Sequence, residues 1–123
     1  MLRVAAACVI GILMAVPAMA QAPLQIVFFP DWSGALDDAA KAVIDRAAQL
    51  AKASPHDPIR VTGYADGTGS SQANIYLCKL RAQRVIDLLA ADGVRAGRLK
   101  LVSAGPQTQV GVAGRRVEIA IGQ

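Results

Sequence analysis

Cysteine and histidine are almost absent from this chain, and their shortage removes several functions at once. Of two cysteines, Cys8 lies in an apolar run near the start; a chain trimmed after that run keeps only Cys78, which closes no internal disulfide. Cys78 therefore reads as a small buried group. The one histidine, His56, stands between two prolines in "SPHDP" and reads as a turn residue. Without a second His/Cys cluster there is no metal-ligand spacing. The same shortage leaves Ser70, Ser71 and Ser103 without a histidine base and its orienting acid, so nucleophilic catalysis has no support. Phosphate-cradling loops are missing too. Thr68 stands five places after Gly63 and no Gly-Lys-Ser/Thr follows, while Gly67, Gly69 and Gln72 break the dinucleotide pattern at its third glycine. The residues imply neither an enzyme nor a cofactor.

The first twenty residues have the layout of an export signal. Arg3 precedes an unbroken apolar run from Val4 to Val16, followed by Pro17 and the small triplet Ala18-Met19-Ala20, which predicts cleavage before Gln21. An uncleaved anchor is the alternative, but the apolar segment Val4 to Ala20 has 17 residues, at the short limit of the roughly 17–25 that cross a bilayer. The expected mature chain, residues 21–123, is one domain with one core in the periplasm, without a membrane span.

Charge is unevenly distributed along that domain. Residues 21–78 carry 4 basic and 6 acidic groups, whereas residues 79–123 carry 8 and 3. The second half is thus the anion-facing one. An exported chain rarely meets nucleic acid, so envelope polymers are the expected anions.

Periodicity gives the elements. "LQIVFF" (Leu24 to Phe29), closed by Pro30, predicts a buried strand. A helix follows, capped by Asp37, with Leu36, Ala40, Val43, Ile44, Ala47 and Leu50/Ala51 at helical spacing and Pro55 as its stop. "IRVTGY" alternates as a strand. Ala82, Val85, Ile86 and Leu89 make the stripe of a second helix ended by Gly93, and "LKLVSA" and "RVEIAI" are two further strands, the last with Val117, Ile119 and Ile121 inward. The order β-α-β-α-β-β predicts a two-layer α/β sandwich, a small mixed sheet with both helices on one face.

In this order the segments resemble the OmpA-like peptidoglycan-binding domain. "FFPDWSGALDD" resembles that family's aromatic strand and capped helix start, "VTGYAD" its strand end, and "GRRVEI" its closing strand. Counted from Asp66, Gly69 at +3, Asn74 at +8, Leu77 at +11, Arg81 at +15, Ala82 at +16 and Val85 at +19 match the family pattern without a gap. The resemblance implies non-covalent binding of peptidoglycan in the periplasm, through the meso-diaminopimelate of the stem peptide. Its free end carries an ammonium and a carboxylate on one carbon. The resemblance implies that Asp66 accepts from the ammonium and that Arg81, in the first turn of the second helix, forks onto the carboxylate. Thr68 and Asn74 line the site, and one of Arg115 and Arg116 approaches from the last strand, where neighbours face opposite ways. Lys79 and Arg84 are solvated helix-surface charges.

Two departures from the family accompany this resemblance. Cys78 stands where the family has a serine expected to cap the helix that carries Arg81, and "GPQTQVGVAG" makes a short connection between the last two strands, with Gly114 in place of an asparagine. The other reading is an OmpA-like fold that has lost the ligand and binds envelope proteins through its basic half.

Overall fold

Strand β1 (Gln25–Phe28), helix α1 (Asp38–Ala53), strand β2 (Ile59–Ala65), helix α2 (Ser71–Ala91), strand β3 (Leu99–Pro106) and strand β4 (Arg116–Ile121) follow one another in the expected order. The computed structural model describes residues 24–106 and 111–122, besides Gly11. The export signal expected at 1–20 lies, but for that glycine, outside the described residues, as does part of the connection between β3 and β4.

Among the described residues the strands form one sheet in the order β1-β4-β2-β3. β2 runs parallel to β3, and β4 lies antiparallel to both β1 and β2, so the sheet is mixed as expected. The last strand takes an inner place because Val117, Ile119 and Ile121 are all buried against the helices. They join Val27, Ile59 and Val61 from the sheet, Phe29 just past β1, Ile44, Ala47 and Ala51 from α1, and Ala82, Val85 and Leu89 from α2 in one core. Each large aliphatic group removed from water there contributes about 1.5–3 kcal/mol.

Local chemistry sets the helix ends. The Ala40 N–H donates to Asp37 Oδ1 at 2.7 Å, giving α1 the cap its sequence predicts, and Asp38 places a second negative charge in the first turn. α2 ends on Gly93 at φ 99°, whose N–H donates to the Ala90 carbonyl while that of Val94 donates to Leu89. These bonds make a Schellman motif with Val94 and Leu89 both in the core.

The start of α2 differs from the sequence expectation. It begins at Ser71, and Ser70 caps it by accepting from the Ala73 N–H at 3.2 Å. Cys78 is therefore a buried mid-helix residue and no cap, and Arg81 lies in the third turn, not the first. The reason is chemical. Asn74, Leu77, Cys78 and Arg81 occupy the inward stripe at helical spacing, and all are buried. Two of the four are polar, so apolar periodicity registers only the later turns of the helix.

Gly63 sets how closely α2 approaches the sheet. A Cβ at Gly63 would overlap the carbonyl oxygen of Cys78, so helix and strand meet here backbone to backbone.

Candidate functional site

The site forms where β2 ends and the chain turns into α2. Asp66 follows the last residue of the strand, and its Oδ1 accepts from the Thr68 hydroxyl at 2.8 Å and the Thr68 N–H at 3.2 Å. This Asx-type turn fixes the carboxylate. Its other oxygen, Oδ2, meets Arg115 Nη1 at 3.4 Å. The Thr68 hydroxyl bond, helped by the Arg115 charge, holds the Asp66 carboxyl below the usual range against the opposing effect of burial.

Asn74 lies below this turn, 1% exposed, and its Nδ2 donates to the Thr68 carbonyl at 2.6 Å and the Ser70 carbonyl at 3.0 Å. Its amide thus closes the loop from within.

Arg81 is enclosed. It is 0% exposed, and its guanidinium donates to the carbonyls of Ser33 at 2.9 Å, Pro30 at 3.0 Å and Tyr64 at 3.2 Å, with Phe29 ring-stacked at 5.4 Å. Burial pulls its pKa down. The fork expected to face a ligand instead braces the segment between β1 and α1 against the end of β2. The Pro30 and Ser33 carbonyls lie in the irregular segment before α1 and that of Tyr64 near the end of β2, just past a register shift in its pairing with β3, and the planar fork of donors reaches all three at once.

Arg115 and Arg116 part as strand geometry requires. Arg115 lies on the Asp66 side and also donates from Nε to the Phe29 carbonyl at 3.2 Å. Arg116 lies on the sheet face away from the helices, where it pairs with Glu118 at 3.0 Å and stacks 3.9 Å from the centre of the Tyr64 ring. Tyr64 donates to Glu118 at 3.1 Å, and burial, then the Glu118 charge, pushes its hydroxyl pKa up. Of the six expected site residues, the structure brings Asp66, Thr68 and Arg115 together, places Asn74 and Arg81 underneath, and separates Arg116 from them. Lys79 and Arg84 are exposed on α2, as expected.

The partner of Asp66 had a usable signal. With Val117, Ile119 and Ile121 inward, alternation puts Arg115 on the inward side and Arg116 on the other. Trp32 was missed. It sits at φ 51°, in a turn where the Ser33 N–H donates to the Pro30 carbonyl, and its ring rests on Gly69 beside the Asp66 loop. No signal of pattern or spacing connects Trp32 with Gly69.

Among the described residues no group of three or more acidic, cysteine or histidine side chains could hold a metal, and no helix is long and apolar enough to cross a membrane.

The chain as a whole has known counterparts. The chain is 35% identical over 86 residues to the peptidoglycan-associated lipoprotein of Agrobacterium fabrum, a match covering 70% of this chain and 49% of that protein. It is 33% identical over 87 residues to the peptidoglycan-binding protein ArfA of Mycobacterium tuberculosis, covering 64% of this chain and 27% of that one. The chain thus spans half or less of the length of these two relatives. The solved structure of the peptidoglycan-associated lipoprotein from Burkholderia pseudomallei matches with a TM-score of 0.71 at 27% identity, over 79% of this chain and 89% of that chain. The OmpA family pattern covers residues 28–117, which takes in both helices, β2 and β3 whole, with the last residue of β1 and the first two of β4, and the chain belongs to the OmpA family.

Proposed function

We propose that this chain binds peptidoglycan non-covalently in the cell envelope, through the Asp66 loop and Arg115, and that it performs no catalysis. The names of its relatives support the polymer, and one observation carries the location. The Asp66–Arg115 pair, 3.4 Å apart, keeps its side chains 8% and 16% exposed while Arg81 has no exposure. An acid and a guanidinium side by side are the complement of a zwitterion. The free end of meso-diaminopimelate offers an ammonium to Asp66 and a carboxylate to Arg115, exchanging one internal ion pair for two with the ligand.

The remaining residues position this pair. Thr68 keeps Asp66 ionised and oriented, Asn74 holds the loop, and Arg81 fixes the wall beside it. Each charge-assisted bond contributes about 1.5–3 kcal/mol before the lost internal pair is counted, so a single stem binds weakly. Retention on the wall relies on rebinding among many identical stems.

Co-sedimentation with purified sacculi tests this reading. The parent protein pellets and is released by free meso-diaminopimelate, Asp66→Ala stays in the supernatant, and Arg116→Ala pellets like the parent. Pelleting of Asp66→Ala with the parent's efficiency overturns the site. A parent that never pellets favours the alternative, an OmpA-like fold that serves protein partners.

A further inference from the structure

Trp32 is 53% exposed and Tyr76, on α2, is 68% exposed, and both line one groove of about 460 Å³. Ser70, Gln72, Ala73, Leu77 and Leu80 complete its walls, and no charged side chain takes part. Lys41 and Arg84 line a neighbouring hollow that shares Trp32 and Leu80 with this groove. The groove begins at the Gly69–Ser70 turn and so continues directly from the loop that carries Asp66 and Thr68.

Trp32 is held for presentation. A Cβ at Gly69 would overlap its six-membered ring, so the loop is cut to fit the indole. Its own backbone takes the left-handed φ of 51° that bulky residues avoid, in the turn position where glycine is favoured. The buried guanidinium of Arg81 grips the carbonyls of Pro30 and Ser33 on either side of it. Such strain persists only where the surroundings over-determine it, and it collects at binding sites. A tryptophan kept only for packing would be buried.

Two exposed rings edged by a hydroxyl and an amide, without charge, suit a neutral ligand with an apolar C–H face and polar substituents at its rim. Ser70 Oγ accepts from the Ala73 N–H and keeps its proton to donate, and Gln72 offers an exposed amide. We propose that this groove is a carbohydrate subsite in which a pyranose ring of the glycan strand lies against Trp32, with Tyr76 as its second wall. The proposal rests on the peptidoglycan reading above, since the stem peptide expected at Asp66 is joined to an N-acetylated sugar.

Trp32 is the single tryptophan of the chain, so its fluorescence reports on the indole that walls this groove. The probes are a disaccharide-stem peptide and the same stem peptide freed of its sugars. The disaccharide-peptide shifts the emission and binds the parent about three- to tenfold more tightly than the free peptide. Trp32→Gly abolishes that advantage, leaves free-peptide affinity unchanged, and melts at or above the parent temperature because the left-handed position suits glycine. Equal affinity of the parent for both probes overturns the subsite and leaves the Asp66 site standing. Equal loss of both probes in Trp32→Gly also overturns it, as does a dimer in sedimentation velocity that disappears with Trp32→Gly. A parent that binds neither probe overturns the peptidoglycan reading, and the subsite with it.

Discussion

Arg115 reaches Asp66 at 3.4 Å from 49 residues further along the chain, and so ties the start of β4 to the loop that follows β2. The same guanidinium donates to the Phe29 carbonyl at 3.2 Å, which joins the end of β1 to this point. Three separate segments therefore meet at one guanidinium.

Stability depends on pH through Asp66. Its folded pKa is depressed, first by the Thr68 hydroxyl bond, so ionisation favours the folded state. That contribution is present in full above about pH 4, the ordinary aspartate value, and is lost as pH falls through the lower folded value. Melting temperatures measured from pH 7 to pH 2 are expected to fall more steeply for the parent than for Asp66→Asn below that point. Thr68→Val raises the Asp66 pKa in a carboxyl NMR titration; an unchanged value would show that the hydroxyl bond is not formed in solution.

Arg81 is expected to matter first for folding. Arg81→Met removes the guanidinium donor from the carbonyls of Pro30, Ser33 and Tyr64 and costs about 2–4 kcal/mol, read as a lower urea midpoint. Arg81→Lys recovers only part, because an ammonium cannot span three carbonyls in one plane. A midpoint equal to the parent's would mean that water satisfies these carbonyls.

Gly63→Ala forces a Cβ into the Cys78 carbonyl and must move α2 off the sheet, at a cost of about 1–3 kcal/mol. Gly97→Ala is the control. Nothing lies within 4 Å of a Cβ there, so stability stays or rises by up to about 1 kcal/mol. Chemical denaturation of both variants checks the contrast, and equal effects would contradict it.

Cys78 is buried, and burial pushes its thiol pKa up, so native protein reacts slowly with a thiol reagent and rapidly once unfolded. The helix cap lies at Ser70, so Ser70→Ala costs about 0.5–2 kcal/mol while Cys78→Ser yields no capping gain. Fast labelling of the native thiol, or stabilisation by Cys78→Ser, would contradict this placement.

The elements were legible where burial is apolar. Ala40, Ile44, Ala47 and Ala51 marked α1 together with its Asp37 cap, and Val117, Ile119 and Ile121 marked β4 and its inner face. The first half of α2 was illegible for a physical reason: Asn74 and Arg81 fill inward positions, since this end of the core satisfies loop carbonyls as well as excluding water. The spacing from Asp66 marked the corner of the fold where these side chains gather, but not what Arg81 touches there. Separation along the chain does not reveal that the carbonyls of Pro30, Ser33 and Tyr64 already occupy Arg81. Nor could composition show that Gly63 makes room for a helix and Gly69 for an indole, because both contacts join segments distant in sequence.

The central claim is that the zwitterionic end of a stem peptide docks between Asp66 and Arg115. An NMR titration with meso-diaminopimelate, following backbone amides and arginine Nε–H signals, tests it most directly. The account predicts that the amides of Asp66, Gly67 and Thr68 and the Nε–H of Arg115 shift together and saturate, while the Nε–H of Arg116 on the opposite sheet face stays still. Shifts centred on Tyr64 and Arg116, or none at saturating ligand, would contradict it.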